Sequence, residues 1–310
     1  MCSLKVDGEQ RYRTVVEICR RLGVGQQQNC LDVGGGTGNL GTLLGLESFT
    51  TLDVVGGGPK HVRGSMDRLP FSDEAFDLVL QVDSLEHLQP KSRAAALMEL
   101  ARVSRRWVIC MVPVNGPGTV AVEEDLCRVH SQVTKGREMD WLEEHRRYGL
   151  PEEGILGEVL GTKFQDWVVW PSGSLLHYWV LKRLDLAMEA GVYQPEIEAA
   201  IDEWFSEWGW RGEYRTSGEA YRRVFVGTKE GELPAGIDDP PERDDSLSGW
   251  QSFLPIIEAI TKPSQLDPDG QARVGEAVEA IERIASILNV DKKGAHSDPL
   301  WSRITGKGRS

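Results

Sequence analysis

The apolar positions of this chain alternate between two spacings. Residues 9–22 carry Tyr12, Val15, Val16, Cys19 and Leu22 at helical intervals, with Arg11, Arg13, Arg20 and Arg21 mostly opposite, the pattern of an amphipathic helix. A short apolar run over 30–33 predicts a strand, residues from about Gly38 to Leu46 a helix, and Phe49–Leu52 a second strand that ends on Asp53. A further strand is expected to end near Glu86-His87, followed by a helix over Ser92–Val103 and a fifth strand over Trp107–Val112. Phe164–Trp170 reads as a sixth strand, and the alternating Tyr221–Thr228 as a seventh, antiparallel to the others. Strands alternating with helices define the class as α/β, a doubly wound, mostly parallel sheet.

Two insertions interrupt the alternation, and both read as helical caps on a domain spanning residues 1–230. The first, about 114–150, holds a helical stretch Val120–Thr134 and then Met139–His145; after it, Pro151-Glu152-Glu153 is expected to start a helix, with proline in its first turn and acids at its positive end. The second, about 171–220, carries helices over Ser174–Ala190 and Pro195–Trp208. Residues 231–249 form an acidic, proline-rich linker, 250–290 a helical C-terminal appendage, and 291–310 a polar tail expected to be disordered. Val274, Ile281 and Leu288 recur every seven residues, little more than two heptads. That is too short for a free-standing coiled coil, so the segment either docks on the core or makes a homodimer by pairing with a second copy of the chain.

Charge narrows the partners. A formal net charge of −13 and a pI near 5.0 argue against nucleic acid or an anionic membrane as the main partner, because both require a basic footprint. No apolar run is long enough to cross a bilayer, and Met1–Gln10 lacks the pattern of a signal peptide, so membrane insertion is not expected and a cytoplasmic location is. The five cysteines, Cys2, Cys19, Cys30, Cys110 and Cys127, show neither CxxC spacing nor a disulfide framework. The six histidines are scattered without ligand spacing, so no metal site is expected.

Candidate chemistry concentrates in Cys30-Leu31-Asp32-Val33-Gly34-Gly35-Gly36-Thr37-Gly38-Asn39-Leu40, a strand, an acid, a glycine loop and a helix start. Glycines let the backbone turn and let a ligand approach bare N–H groups. Asp32 ahead of the loop suits a ligand with an amino group and ribose hydroxyls better than a phosphate. Asp53 stands about twenty residues on, where nucleotide-binding α/β units present a carboxylate to ribose. Both acids could equally be turn or cap residues. Gly36-Thr37-Gly38-Asn39-Leu40-Gly41 also satisfies GxGxxG, which leaves a nicotinamide-dependent oxidoreductase open at this point.

The segments beyond the loop separate these readings. Gly64–Leu80 contains Leu69-Pro70-Phe71 and Phe76-Asp77, and Gln81–Leu88 contains Glu86-His87. With the DxGxGxG loop, these motifs resemble class I S-adenosylmethionine-dependent methyltransferases over roughly residues 28–113. The resemblance implies a seven-stranded Rossmann-like sheet and S-adenosyl-L-methionine as cofactor. Asp32 would reach its methionine end and Asp53 its ribose hydroxyls, with the backbone of Gly34, Gly36 and Gly38 lining the pocket. The family's acid for the adenine amino group is replaced by Ser65, with Met66 alongside through its backbone N–H. The usual Pro-Gly-Gly turn before the fifth strand is replaced by Ser104-Arg105-Arg106.

On the acceptor side, ligands of a doubly wound sheet sit beyond the carboxyl ends of the strands, so the two insertions are expected to shape that pocket. His87, just after the fourth strand, is the candidate base, with Asp83 before it, His145 in the first insertion next and His177 after that; each histidine has a plain structural alternative. Seven tryptophans between 141 and 210 read mainly as the core of a small cap. The expected function is methyl transfer to a small-molecule or glycan-type acceptor. A non-catalytic module that kept the fold is the remaining alternative.

Overall fold

The computed structural model describes residues 6–36, 39–133, 139–175, 178, 179, 182 and 220–237. The helix expected over Pro195–Trp208, most of that over Ser174–Ala190, Gly38, His177 and everything beyond residue 237 lie outside them.

The elements follow in order: α1 (Val6–Arg21), β1 (Asn29–Val33), α2 (Asn39–Leu44), β2 (Ser48–Asp53), β3 (His61–Arg63), β4 (Phe76–Val82), α3 (Pro90–Val103), β5 (Ser104–Pro113), α4 (Pro117–Val133), α5 (Asp140–Tyr148), α6 (Ile155–Leu160), β6 (Asp166–Ser174) and β7 (Ala220–Thr228). They build one sheet in the order β3-β2-β1-β4-β5-β7-β6. β3, β2, β1, β4 and β5 pair in parallel, while β7 runs antiparallel to both β5 and β6.

Side chains of a strand alternate between faces, so a sheet covered on both sides needs apolar residues at successive positions. Leu31, Val33, Val79, Val108, Cys110 and Val112 face α3 and α6, whose Leu97, Leu100, Leu156 and Leu160 close that layer. Their neighbours Cys30, Leu78, Leu80, Ile109 and Met111 face the other way, against Val15 and Ile18 of α1 and Leu40 of α2. A third cluster, Val122, Leu126, Leu142, Leu175, Tyr178, Trp179 and Tyr221, gives the cap its own core.

Three local expectations change. β3 is too short to leave a periodic trace, yet it extends the sheet beyond β2 through Thr51–His61 and Asp53–Arg63 pairing. Ser104–Arg106 is no turn: α3 ends at Val103 and β5 begins at Ser104, with Arg105 donating to Asp77 across the register shift between Phe76 and Leu78. Pro151 does not open α6, which starts at Ile155; its carbonyl accepts from Asn115 N at 2.8 Å and so is held by the loop after β5.

Candidate active site

β1 hands the chain to the glycine loop through a close contact that admits no side chain. Gly34 has φ +78°, and a Cβ there would fall 2.3 Å from the Ser84 side chain. Ser84 in turn donates from its hydroxyl to Val33 O at 3.2 Å, which ties the loop after β4 to the loop after β1. Gly41 serves packing: a Cβ on it would sit 2.4 Å from Phe49 Cδ1, so α2 lies directly on β2.

The acids expected at the cofactor end all stand along the carboxyl edge. Asp32 is 2% exposed, and burial first, then the negative charge of Asp53, pushes its carboxyl up to about 7. Among the described residues no ion pair joins Asp32, whereas the ligand the loop predicts carries an ammonium and a sulfonium. A buried acid short of a cation fits that group. Asp53 accepts from Gly36 N at 3.0 Å and from Val55 N at 3.1 Å, and so holds the glycine loop against the β2–β3 connection. Ser65 donates its hydroxyl to Asp67 at 2.5 Å, and the Met66 side chain is buried in the core. Asp67 was not among the residues expected here, although it is the first acid after Ser65. Tyr12, expected only as a core position of α1, has its phenol raised by burial and by the nearby charges of Asp32 and Asp83, which puts it at the same edge.

The Leu69-Pro70-Phe71 segment is fastened from α3. Glu99 accepts from Leu69 N at 2.8 Å, and Arg102 reaches Leu69 O, Phe71 O and Asp73.

Beyond β4 the chain turns sharply. Asp83 has φ +45° and a side chain 7% exposed, and Arg11 of α1 and Arg222 of β7 both pair with its carboxylate, at 2.5 and 2.6 Å. Two guanidiniums on one carboxylate make it a strong clamp between α1, β4 and β7. The next three residues, Leu85–His87, form a single 3-10 turn. Burial and the neighbouring His145 hold the His87 imidazole below its ordinary value, against the opposing pull of Glu144.

α5 packs on that turn and brings His145 to His87, ring centroids 5.1 Å apart. Two of the six histidines, His87 and His145, are therefore neighbours in space, which their spacing along the chain does not show. Glu86, His87 and His145 present donor atoms within 4.8 Å of one another. His145 Nδ1 lies 2.8 Å from Glu123 Oε1, which also accepts from the Tyr221 hydroxyl at 2.7 Å. Arg93, 3% exposed, joins the elements by donating to the carbonyls of Glu86, Leu88 and Gly149. Of the tryptophans expected in the cap, Trp179 is fully buried and donates to Asp125, while Trp141 sets its edge against the His145 ring.

This topology separates the two cofactor classes. Dinucleotide folds order their parallel strands 3-2-1-4-5-6, whereas here an antiparallel β7 is inserted between β5 and β6. Residues 31–111 match the family model described as a methyltransferase domain. That segment, β1 to most of β5, is thus similar in sequence to a methyltransferase domain, and the sheet order departs from the dinucleotide-binding one. No curated protein sequence matches the chain. Among solved structures, magnesium protoporphyrin IX methyltransferase from Synechocystis PCC 6803 with bound S-adenosylhomocysteine is 14% identical, with a TM-score of 0.43 over 72% of this chain and 83% of that one. The YcgJ protein from Bacillus subtilis is 13% identical, with a TM-score of 0.39 over 71% of this chain and all of that one. Among the described residues no helix is long and apolar enough to cross a membrane.

Proposed function

We propose that the chain transfers a methyl group from S-adenosylmethionine to a small-molecule or glycan-type acceptor held between the Leu85–His87 turn and the cap helices. One observation carries this reading. Ser84, bonded to Val33 where β1 enters the glycine loop, is followed three residues later by His87, so that the loop and the histidine pair share one rim of the sheet. The bound cofactor supplies a methyl carbon made electrophilic by its sulfonium.

The chain's part is to bind that charge and hold the acceptor in line, since proximity is a large source of acceleration in a two-substrate displacement. Asp32 receives the methionine end. Asp53 takes the ribose hydroxyls on the lone pairs left by Gly36 and Val55, and Gly34 and Gly36 line the pocket with bare backbone. Ser65 and Met66 N–H meet the adenine edge, with the Asp67 carboxylate held beside them. His87 and His145 line the acceptor end of the pocket. Asp83, clamped by two arginines, positions the turn that carries His87.

Calorimetry with S-adenosylhomocysteine tests the cofactor half, with binding by the wild type and loss in Asp53→Ala as the expected result. No binding by the wild type, or unchanged binding by the variant, removes the assignment. A labelled-methyl screen against cell extracts then identifies the acceptor; cofactor binding with no labelled product would leave a binding module instead of an enzyme.

A further inference from the structure

We propose that Glu86, His87 and His145 bind one divalent transition-metal ion, zinc being the ion their chemistry favours, at the acceptor end of the site. Two imidazoles and a carboxylate are a three-ligand set of the kind that holds a reactive zinc and leaves a fourth position open. The donors lie within 4.8 Å of one another, and tetrahedral zinc draws such atoms to about 3.3 Å, a closure within reach of side-chain rotation.

Three further features point to an ion. The first is unmet demand. Glu86 is 2% exposed and His145 4% exposed, yet Glu86 Oε2 and His145 Nε2 have no hydrogen-bond partner, and a buried polar atom left unmatched is costly. Arg93 donates to backbone carbonyls of this turn, and among the described residues its field reaches Glu86 without a hydrogen bond to the carboxylate.

The second is the support around the ligands. The carboxylate of Glu123 at His145 Nδ1 fixes the proton on that nitrogen and the lone pair on Nε2, the unpartnered one. Tyr221 steadies Glu123 from the other side. At His87, Glu144 Oε2 stands 2.7 Å from Nδ1, an ion-pair contact without the alignment of a hydrogen bond, while Nε2 faces Glu86 Oε1 at 3.9 Å. Each imidazole therefore has a carboxylate on its far nitrogen, the arrangement that orients metal-bound histidines.

The third is charge. Glu86, Glu123 and Glu144 gather around two imidazoles with Arg93 near Glu86, while Arg11 and Arg222 pair with Asp83. A dication offsets the excess.

The consequence for chemistry rests on the methyltransferase reading above. An acceptor hydroxyl or thiol bound at the open position loses its proton to solvent at neutral pH, because the ion lowers its pKa. The resulting oxygen or sulfur anion attacks the methyl carbon. The new C–O or C–S bond forms as the sulfonium C–S bond breaks, and the electron pair of that bond stays on the departing thioether.

The experiment uses the full chain, stripped with chelator and titrated with Zn²⁺ by calorimetry and with Co²⁺ by visible absorption. The expected result is one ion per chain and a cobalt ligand-field spectrum of nitrogen and oxygen ligation. Glu86→Gln and His145→Ala should each lower affinity by more than ten-fold, and Glu123→Gln, which keeps all three ligands, by about 10–100-fold. Circular dichroism and S-adenosylhomocysteine binding check the fold of each variant. No stoichiometric binding by the wild type, wild-type affinity in all three variants, or a thiolate-to-cobalt band placing the ion on a cysteine would overturn the site. Metal binding without S-adenosylhomocysteine binding would remove the methyltransferase reading and leave the metal site standing; the reverse result would do the opposite.

Discussion

Replacing Asp32 with asparagine should stabilise the cofactor-free protein, and increasingly so as pH rises. Burial and Asp53 push the Asp32 carboxyl from an ordinary 3.8 up to about 7, so the fold prefers the neutral acid. A group whose pKa is raised on folding contributes its stability in full below the unfolded value, and loses it as pH climbs through the folded one. Between 3.8 and 7 the native state keeps a proton that the unfolded chain gives up. At pH 5 this has already cost about 2 kcal/mol, and by pH 8 about 4 kcal/mol. The asparagine amide has nothing to titrate. The stability difference between Asp32→Asn and wild type should therefore widen by about 2–3 kcal/mol from pH 5 to pH 8. Urea denaturation of both proteins at the two pH values, without cofactor, measures it, and comparing them cancels the titration of Glu86, His87 and the other groups. The variant should also lose cofactor affinity, whereas wild-type affinity for S-adenosylmethionine should rise with pH through about 7 as Asp32 ionises. A stability difference constant to within about 0.5 kcal/mol across that range would refute the reasoning.

Gly34→Ala should cost about 1–3 kcal/mol, because the position combines φ +78° with a Cβ only 2.3 Å from Ser84; urea denaturation reads the loss, and Ser84→Gly in the same chain should recover only the steric part. Arg222→Ala leaves Asp83 buried with Arg11 as its remaining described clamp and should cost about 3 kcal/mol in the same assay, partly recovered in the double variant with Asp83→Asn. Deleting residues 238–310 retains Ile237, 2% exposed, and Gly236, whose carbonyl accepts from Arg21. If residues 250–290 pair with a second copy, light scattering should show the mass fall to that of one chain; an unchanged mass disposes of tail-driven dimerisation.

The local geometry of the proposed cofactor end was legible because its parts are close in sequence. Asp32, the glycines and Asp53 lie within one strand–loop–helix–strand unit, where the carboxyl end of a strand, a backbone turn and a helix start fix each position locally. Gly34 could be named from the motif alone, although its reason, the Ser84 side chain 2.3 Å from where a Cβ would be, comes from a loop fifty residues away. β3 was missed because three residues carry no period, and the start of β5 because Ser104-Arg105-Arg106 is polar; its charges are met by Asp77 and solvent at a sheet end.

The acceptor half was illegible for the opposite reason. His87 and His145 meet only because α5 returns over the Leu85–His87 turn, and Arg93, which reads as one more polar residue of α3, holds the two together by donating to Glu86 O and Gly149 O. Glu123 looks like an ordinary charge on α4, yet it is 7% exposed and shared between His145 and Tyr221, partners 22 and 98 residues away. Histidine spacing along a chain detects ligand sets built on one helix or one loop. This cluster draws on a turn and a helix, with support from α4 and β7, so no spacing rule could find it. What a sequence does offer in such a case is a negative: an acid directly beside a histidine, Glu86-His87, sits after an apolar strand where a surface role would not bury it. A buried Glu86 needs a partner, and that need, more than histidine arithmetic, is the signal that leads to His145.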